Sequence, residues 1–224
     1  DFCLSRGLGD VYKRQEVASE VGQQTANFDV RNLTKTGFEF RLDEDEFLHD
    51  LWHPVENVNW LAIPYTHPVR STGNAVFHHN IVEVPFTKVL EDTPVLFTNI
   101  VTENGLDTVD TDILFINEAG FKVRLEEDRY GGWDGIHANE SVNWLAGKIG
   151  VNNGIEIGKT SINDAWEGIT TLGTYSDPHF FASIQTENGD NTASPDIKNV
   201  SGDWFLRVEE DTRLGWDGIH SYED

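Results

Sequence analysis

The residues whose types and spacing could do chemistry lie between Glu126 and Glu140, in the stretch EEDRYGGWDGIHANE. Glu126, Glu127, Asp128, Asp134, His137 and Glu140 supply oxygen and imidazole donors, with Tyr130 and Trp133 between them. Three chemistries suit that set. Trp133, on a glycine-flanked loop, can lay its flat face on a pyranose ring while Asp134, His137 and Glu140 hydrogen-bond hydroxyls. Glu126, Glu127 and Asp128 gather the hard oxygen ligands that calcium takes, although their spacing is not that of an EF-hand. Paired acids could also hydrolyse a glycosidic bond. A structural alternative stands beside each: Trp133 folded back as a lid, a His–Glu hydrogen bond fixing the loop's return, and acids that are simply solvated.

The set is written more than once. Glu209, Glu210, Asp211, Trp216, Asp217, His220 and Glu223 follow at matching spacing, and a looser version has Asp43, Glu44, Asp45, Trp52, His53 and Glu56. Arg41, Arg124 and Arg207 precede the three sets at equal intervals of 83 residues. A period that long means repeated small domains. Acids that recur in each copy of so small a unit, with no room for a deep cleft, favour a binding module over an enzyme. No nucleophile triad, phosphate-cradling glycine loop or paired-cysteine zinc motif is present.

The elements that must position these loops read as strands. Phe121, Val123 and Leu125 alternate with charged residues in FKVRL, and Val142, Trp144 and Ala146 share one face of the strand after the loop. Upstream, Ala75–Val84, Phe86–Leu90, Val95–Val101 and Asp112–Ile116 are apolar runs. They are separated by Pro85, by the Thr93-Pro94 and Asn117–Gly120 turns, and by the Thr102-Glu103-Asn104-Gly105 turn, which recurs at Thr186–Gly189. About six short strands in some 80 residues, with no sustained helical period, predict an all-β chain of tandem small antiparallel sandwiches.

Residues 1–15 have no counterpart in the other copies and read as an assembly artefact or a disordered arm. Residues 16–63 read as the second half of one repeat, ending in Val58–Ile63. Residues 64–147 read as a complete repeat, and 148–224 as a repeat without its closing strand. The expectation is of a piece of a longer protein.

The chain has 39 acidic and 16 basic side chains, a formal net charge of −23. Such a surface repels phosphate backbones and anionic lipid, which excludes nucleic acid as a partner and argues against membrane docking. It suits a salty medium or a bound divalent cation. Cys3 is the single cysteine, so no intrachain disulfide can form. No apolar run is long enough to span a bilayer.

A strand like FEFRL at Phe38, the run RNLTKTGF, a P-V-x-F strand and a closing VNWLA together resemble the H-type lectin domain and its bacterial relatives. That resemblance implies six-stranded antiparallel sandwiches that bind N-acetylgalactosamine or related sugars, commonly as trimers with sites at subunit interfaces. Its best-matching positions are Phe38, Phe121 and Trp204 at the strand start and Trp60 and Trp144 in the closing strand, which mark the fold. The acidic EED…DGIHxxE loop departs from the lectin pattern and is closer to repeats of large exported bacterial proteins. The expected function is therefore a carbohydrate-binding or adhesive module of an extracellular or cell-surface repeat protein, with a homo-oligomer as one possible assembly. The alternative is a spacer repeat without a ligand, stiffened by calcium or simply solvated.

Overall fold

A computed structural model describes residues 11–17, 26–34, 37–44, 58–64, 71–102, 104–105, 109–127, 136–186, 188 and 193–210. Among them there is no helix; the chain is all-β, built of small antiparallel sheets. No helix of the described residues is long and apolar enough to cross a membrane.

The middle repeat is the complete one. It contains β5 (Ser71–Phe77), β6 (Val82–Pro85), β7 (Val95–Ile100), β8 (Val109–Ile116), β9 (Gly120–Glu127) and β10 (Glu140–Gly147). These form two three-stranded sheets, ordered β5-β10-β7 and β6-β9-β8. Alternation dictates what each strand hides. Phe121, Val123 and Leu125 of β9 are buried, as are Val142, Trp144 and Ala146 of β10, and the two rows meet between the sheets. Aromatic rings fill the middle: Trp144 stands 5.4 Å from Phe121 and 5.6 Å from Phe86, and Phe77 meets Phe121 edge-on at 6.4 Å. Such pairs contribute about 0.5–1.5 kcal/mol each beyond their burial.

Two stretches differ from the sequence reading. The run Ala75–Val84 is broken between Phe77 and Val82, because β5 and β6 belong to different sheets and the chain must cross over. Phe86–Leu90 is not a strand. Phe86 and Leu90 are buried, and their amides donate to the carbonyls of Ala119 and Glu118 at 2.8 Å each. The segment lies over the core as a cover whose backbone is tied to the β8–β9 turn.

In the first repeat, β1 (Val11–Val17) pairs with β4 (Val58–Pro64) and β2 (Ala26–Arg31) pairs with β3 (Glu39–Glu44). Gln15 lies opposite Trp60 as Thr98 lies opposite Trp144, so β1 stands where β7 stands in the middle repeat. Residues 11–15, without a sequence counterpart in the other copies, thus occupy a regular strand position; residues 1–10 lie outside the described residues. In the third repeat, β11 (Gly150–Asn152) and β12 (Ile155–Ile157) form a hairpin, and β13 (Glu167–Ile169) and β14 (Ala193–Val200) flank β15 (Asp203–Glu210). Asn153 and Gly154 turn the hairpin at φ 48° and 85°, the left-handed pair that a two-residue connection requires. The expectation of a repeat without its closing strand falls on residues 211–224, outside the described residues.

Gly73 of β5 lies opposite Trp144, and a Cβ there would come within 2.6 Å of indole Cε2 and 2.8 Å of Nε1. The indole therefore uses the space a side chain would take. Gly73→Ala is expected to cost about 1–3 kcal/mol in urea unfolding, less in a Trp144→Phe background. An equal cost in both backgrounds would show that the indole is not the obstacle.

Candidate functional site

Strand parity explains where the loop's ends go. Glu127 continues the inward row Phe121–Val123–Leu125, and Glu140 begins the inward row Val142–Trp144–Ala146. Both carboxylates consequently enter the same end of the sandwich from opposing sheets, at 5% and 1% exposure. His137, at 4% exposure, sits between them. Its Nδ1 shares a hydrogen bond with Glu127 Oε1 at 3.1 Å, and its Nε2 stands 3.4 Å from Glu140 Oε1, outside hydrogen-bond geometry.

Glu140 takes its hydrogen bonds from the Thr102–Gly105 segment instead. The amides of Asn104 and Gly105 donate to Oε1 at 2.7 and 3.1 Å, and the Thr102 hydroxyl donates to Oε2. The same Thr102 oxygen accepts from the Ser141 amide at 2.7 Å, and Asn104 Nδ2 donates to the Asn139 carbonyl at 2.7 Å. A Cβ on Gly105 would lie 2.9 Å from His137 Nε2, so only glycine lets this backbone pass over the ring. The segment read as a plain turn is the lid of a buried polar lock.

The lock is spelled in every copy. Glu127, His137 and Glu140 recur as Glu210, His220 and Glu223 and as Glu44, His53 and Glu56; Thr102 and Gly105 recur as Thr186 and Gly189 and as Ser19 and Gly22. The counterparts' side chains lie outside the described residues apart from Thr186. Nothing in the sequence reading singled out Thr102, Asn104 or Gly105 as partners of Glu140. Their signal was the joint recurrence of the turn and the His-x-x-Glu pair.

The other acids face arginine. Arg124 reaches Asp112 at 3.0 Å and Glu126 at 3.2 Å, and Arg207 reaches Asp196 at 2.8 Å and Glu209 at 3.0 Å. In the first repeat, Asp29 stands opposite Arg41 in the same register. The arginines that set the 83-residue interval are thus cross-strand partners on the outer face of a sheet. Glu126 and Glu209 point to guanidinium groups and Glu127 to an imidazole. This arrangement does not fit the cage of six to eight oxygens that calcium takes, and among the described residues no cluster of three or more acids, histidines or cysteines has metal-site geometry. Asp128 and Asp211 lie outside the described residues, as does the side chain of Glu210 in β15. Trp133, Asp134, Trp216, Asp217, His220 and Glu223 lie outside them too. Of the expected ligand-binding residues, His137 and Glu140 are described, and they face each other inside the core.

A second carboxylate works in the same way in the third repeat. Glu156 accepts from the amides of Leu172 and Gly173 at 2.6 and 3.1 Å and from the Tyr175 hydroxyl at 2.7 Å. The Leu172 amide, then the Tyr175 hydroxyl, hold the Glu156 carboxyl below the ordinary glutamate value of 4.5, and the carboxylate in turn raises the Tyr175 hydroxyl.

No protein-family model matches the chain, and no solved structure matches it. The chain is similar to Halomucin of Haloquadratum walsbyi, with 26% identity over 177 residues, which cover 71% of this chain and 2% of that protein. The chain therefore spans only about two per cent of the curated relative it matches.

Two measurements test these assignments. Glu140→Ala leaves three donors and a buried histidine without their carboxylate, and its unfolding free energy is expected to fall by about 3–5 kcal/mol. Glu126→Gln, at a partly solvated pair, is expected to cost less than about 1 kcal/mol. Comparable losses would contradict the difference in roles. Because the folded pKa of Glu156 is depressed, its contribution is complete above the unfolded value near 4.5 and is lost as pH falls through the lower folded value. The stability gap between the natural chain and Glu156→Gln should shrink on acidification below that value. A gap constant from neutral pH downward would refute the anchor.

Proposed function

We propose that the chain is a run of β-sandwich repeats from an exported, salt-adapted protein of the cell exterior, each repeat a carbohydrate-binding, adhesive module rather than an enzyme. The observation that supports binding is the neck of the tryptophan loop. Glu127 and His137 join the two ends of segment 128–135 by a buried hydrogen bond of 3.1 Å. A loop tied so firmly at its base is a means of presenting what lies in it, here Trp133 and Asp134, with Trp216 and Asp217 in the third repeat. Weak sites in tandem then gain avidity on clustered sugars, on the order of a hundredfold or more.

Export to a saline exterior has separate support. The relative's protein and genus names both carry the salt prefix, its name is that of a mucin, and a net charge of −23 suits that medium. The resemblance to H-type lectins adds weight to sugar as the ligand. A binding role agrees with the carboxylate geometry as well: Glu127 and Glu140 face one imidazole within the core, where no glycosidic bond could pass between them.

One observation favours a second reading, the spacer without a ligand. His137 and Glu140, two of the three polar groups expected to meet a ligand in this repeat, are buried inside the fold.

Glycan arrays and insoluble polysaccharides, probed with the intact chain at high and low salt, with calcium and with chelator, separate the two. The expected result is binding that Trp133→Ala with Trp216→Ala abolishes while the melting temperature holds. Absence of binding in every medium would leave the spacer as the function.

A further inference from the structure

In the sheet β5-β10-β7, the middle of β10 is buried on the side where a lone sandwich would meet solvent, while Val76 of the outer strand β5 stays 53% exposed there. Asn143 and Leu145 point away from their own core yet are 3% and 2% exposed. What covers them comes from the neighbouring repeats. Leu145 and Phe97 pack with Leu61 and Ile63 of the first repeat and Ile155 of the third, so one small apolar cluster draws side chains from all three. Ile63 is 2% exposed within it.

Polar contacts run along the same seam. Strand β7 is an edge strand, and an edge presents amides and carbonyls that need partners. Gln185 of the third repeat supplies both at Leu96: its Oε1 accepts from the Leu96 amide at 2.7 Å and its Nε2 donates to the Leu96 carbonyl at 2.5 Å. Nε2 also donates to the Ser183 carbonyl at 3.0 Å, and the side chain is 6% exposed. The glutamine occupies the edge as a further strand would. Further along the chain, Ser194 Oγ donates to Asp110 of the middle repeat at 3.2 Å, and His179 Nδ1 meets Asn59 Oδ1 of the first repeat at 2.9 Å.

We propose that the edge of β7 and the outer face of β10 form a docking surface for the adjoining repeats, and that Gln185 is its key. Three consecutive repeats then make one stiff body around a shared seam, in contrast to a flexible string. The partner this surface fits is another repeat of the same kind. The assignment is independent of whether the loops bind sugar.

Two variants of the full chain test it. Gln185→Leu keeps the volume and removes both edge bonds, leaving Leu96 without partners. The expected result is a larger radius of gyration in small-angle scattering and a single melting transition that drops by several degrees or splits in two. Unchanged scattering and melting would overturn the proposal. Should that variant fail to fold, Asn59→Cys with His179→Cys in a Cys3→Ser background decides by itself. A short bis-maleimide should bridge the pair within one chain under native conditions and not in urea. No bridge, or a bridge only between chains, would overturn the docked arrangement.

Discussion

The middle repeat depends on one buried set of polar contacts, in which Glu127 and Glu140 meet at His137. A thin sandwich has little apolar area with which to hold its ends, and two carboxylates inside it are costly unless every lone pair finds a donor. Here they do. Glu127 has the imidazole, and Glu140 has two backbone amides and a hydroxyl. The set ties together four places in the chain: the end of β9, the return of the tryptophan loop, the start of β10 and the Thr102–Gly105 segment after β7. Local contacts alone could not do this, since Thr102 and Glu140 are 38 residues apart.

Much of this fold was legible in the sequence, because alternation is a local property. Phe121, Val123 and Leu125 announced β9, and Val142, Trp144 and Ala146 announced β10. The same parity places Glu127 and Glu140 on the inward side, a signal that the density of surrounding acids obscured. What was illegible depended on partners distant in sequence. The arginines spaced by 83 residues mark repeats, but only strand pairing shows Asp112, Asp196 and Asp29 opposite them. The run from Ala75 to Val84 gives no local sign of the change of sheet that divides it. Residues 11–15 resemble nothing else in the chain, yet backbone pairing with β4 asks little of side-chain identity.

A buried Glu127–His137 bond removes those side chains from any ligand and at the same time fixes the base of the segment they flank. Along the motif, Glu127, His137 and Glu140 hold the fold together.

Acidity and docking then bear on each other. Net charge of −23 spread over tandem units makes them repel at low ionic strength, and the centre of the seam between them is built from neutral groups, Ile63, Leu145, Phe97, Ile155 and the amide of Gln185, with the carboxylate of Asp110 held by Ser194. Concentrated salt screens the repulsion to within a few ångströms while strengthening the apolar part of the contact. An acidic repeat array whose seam is mostly uncharged is therefore expected to be tighter in concentrated salt than in dilute buffer. The same charge that keeps separate molecules apart in the medium leaves the docking of neighbours within one chain intact.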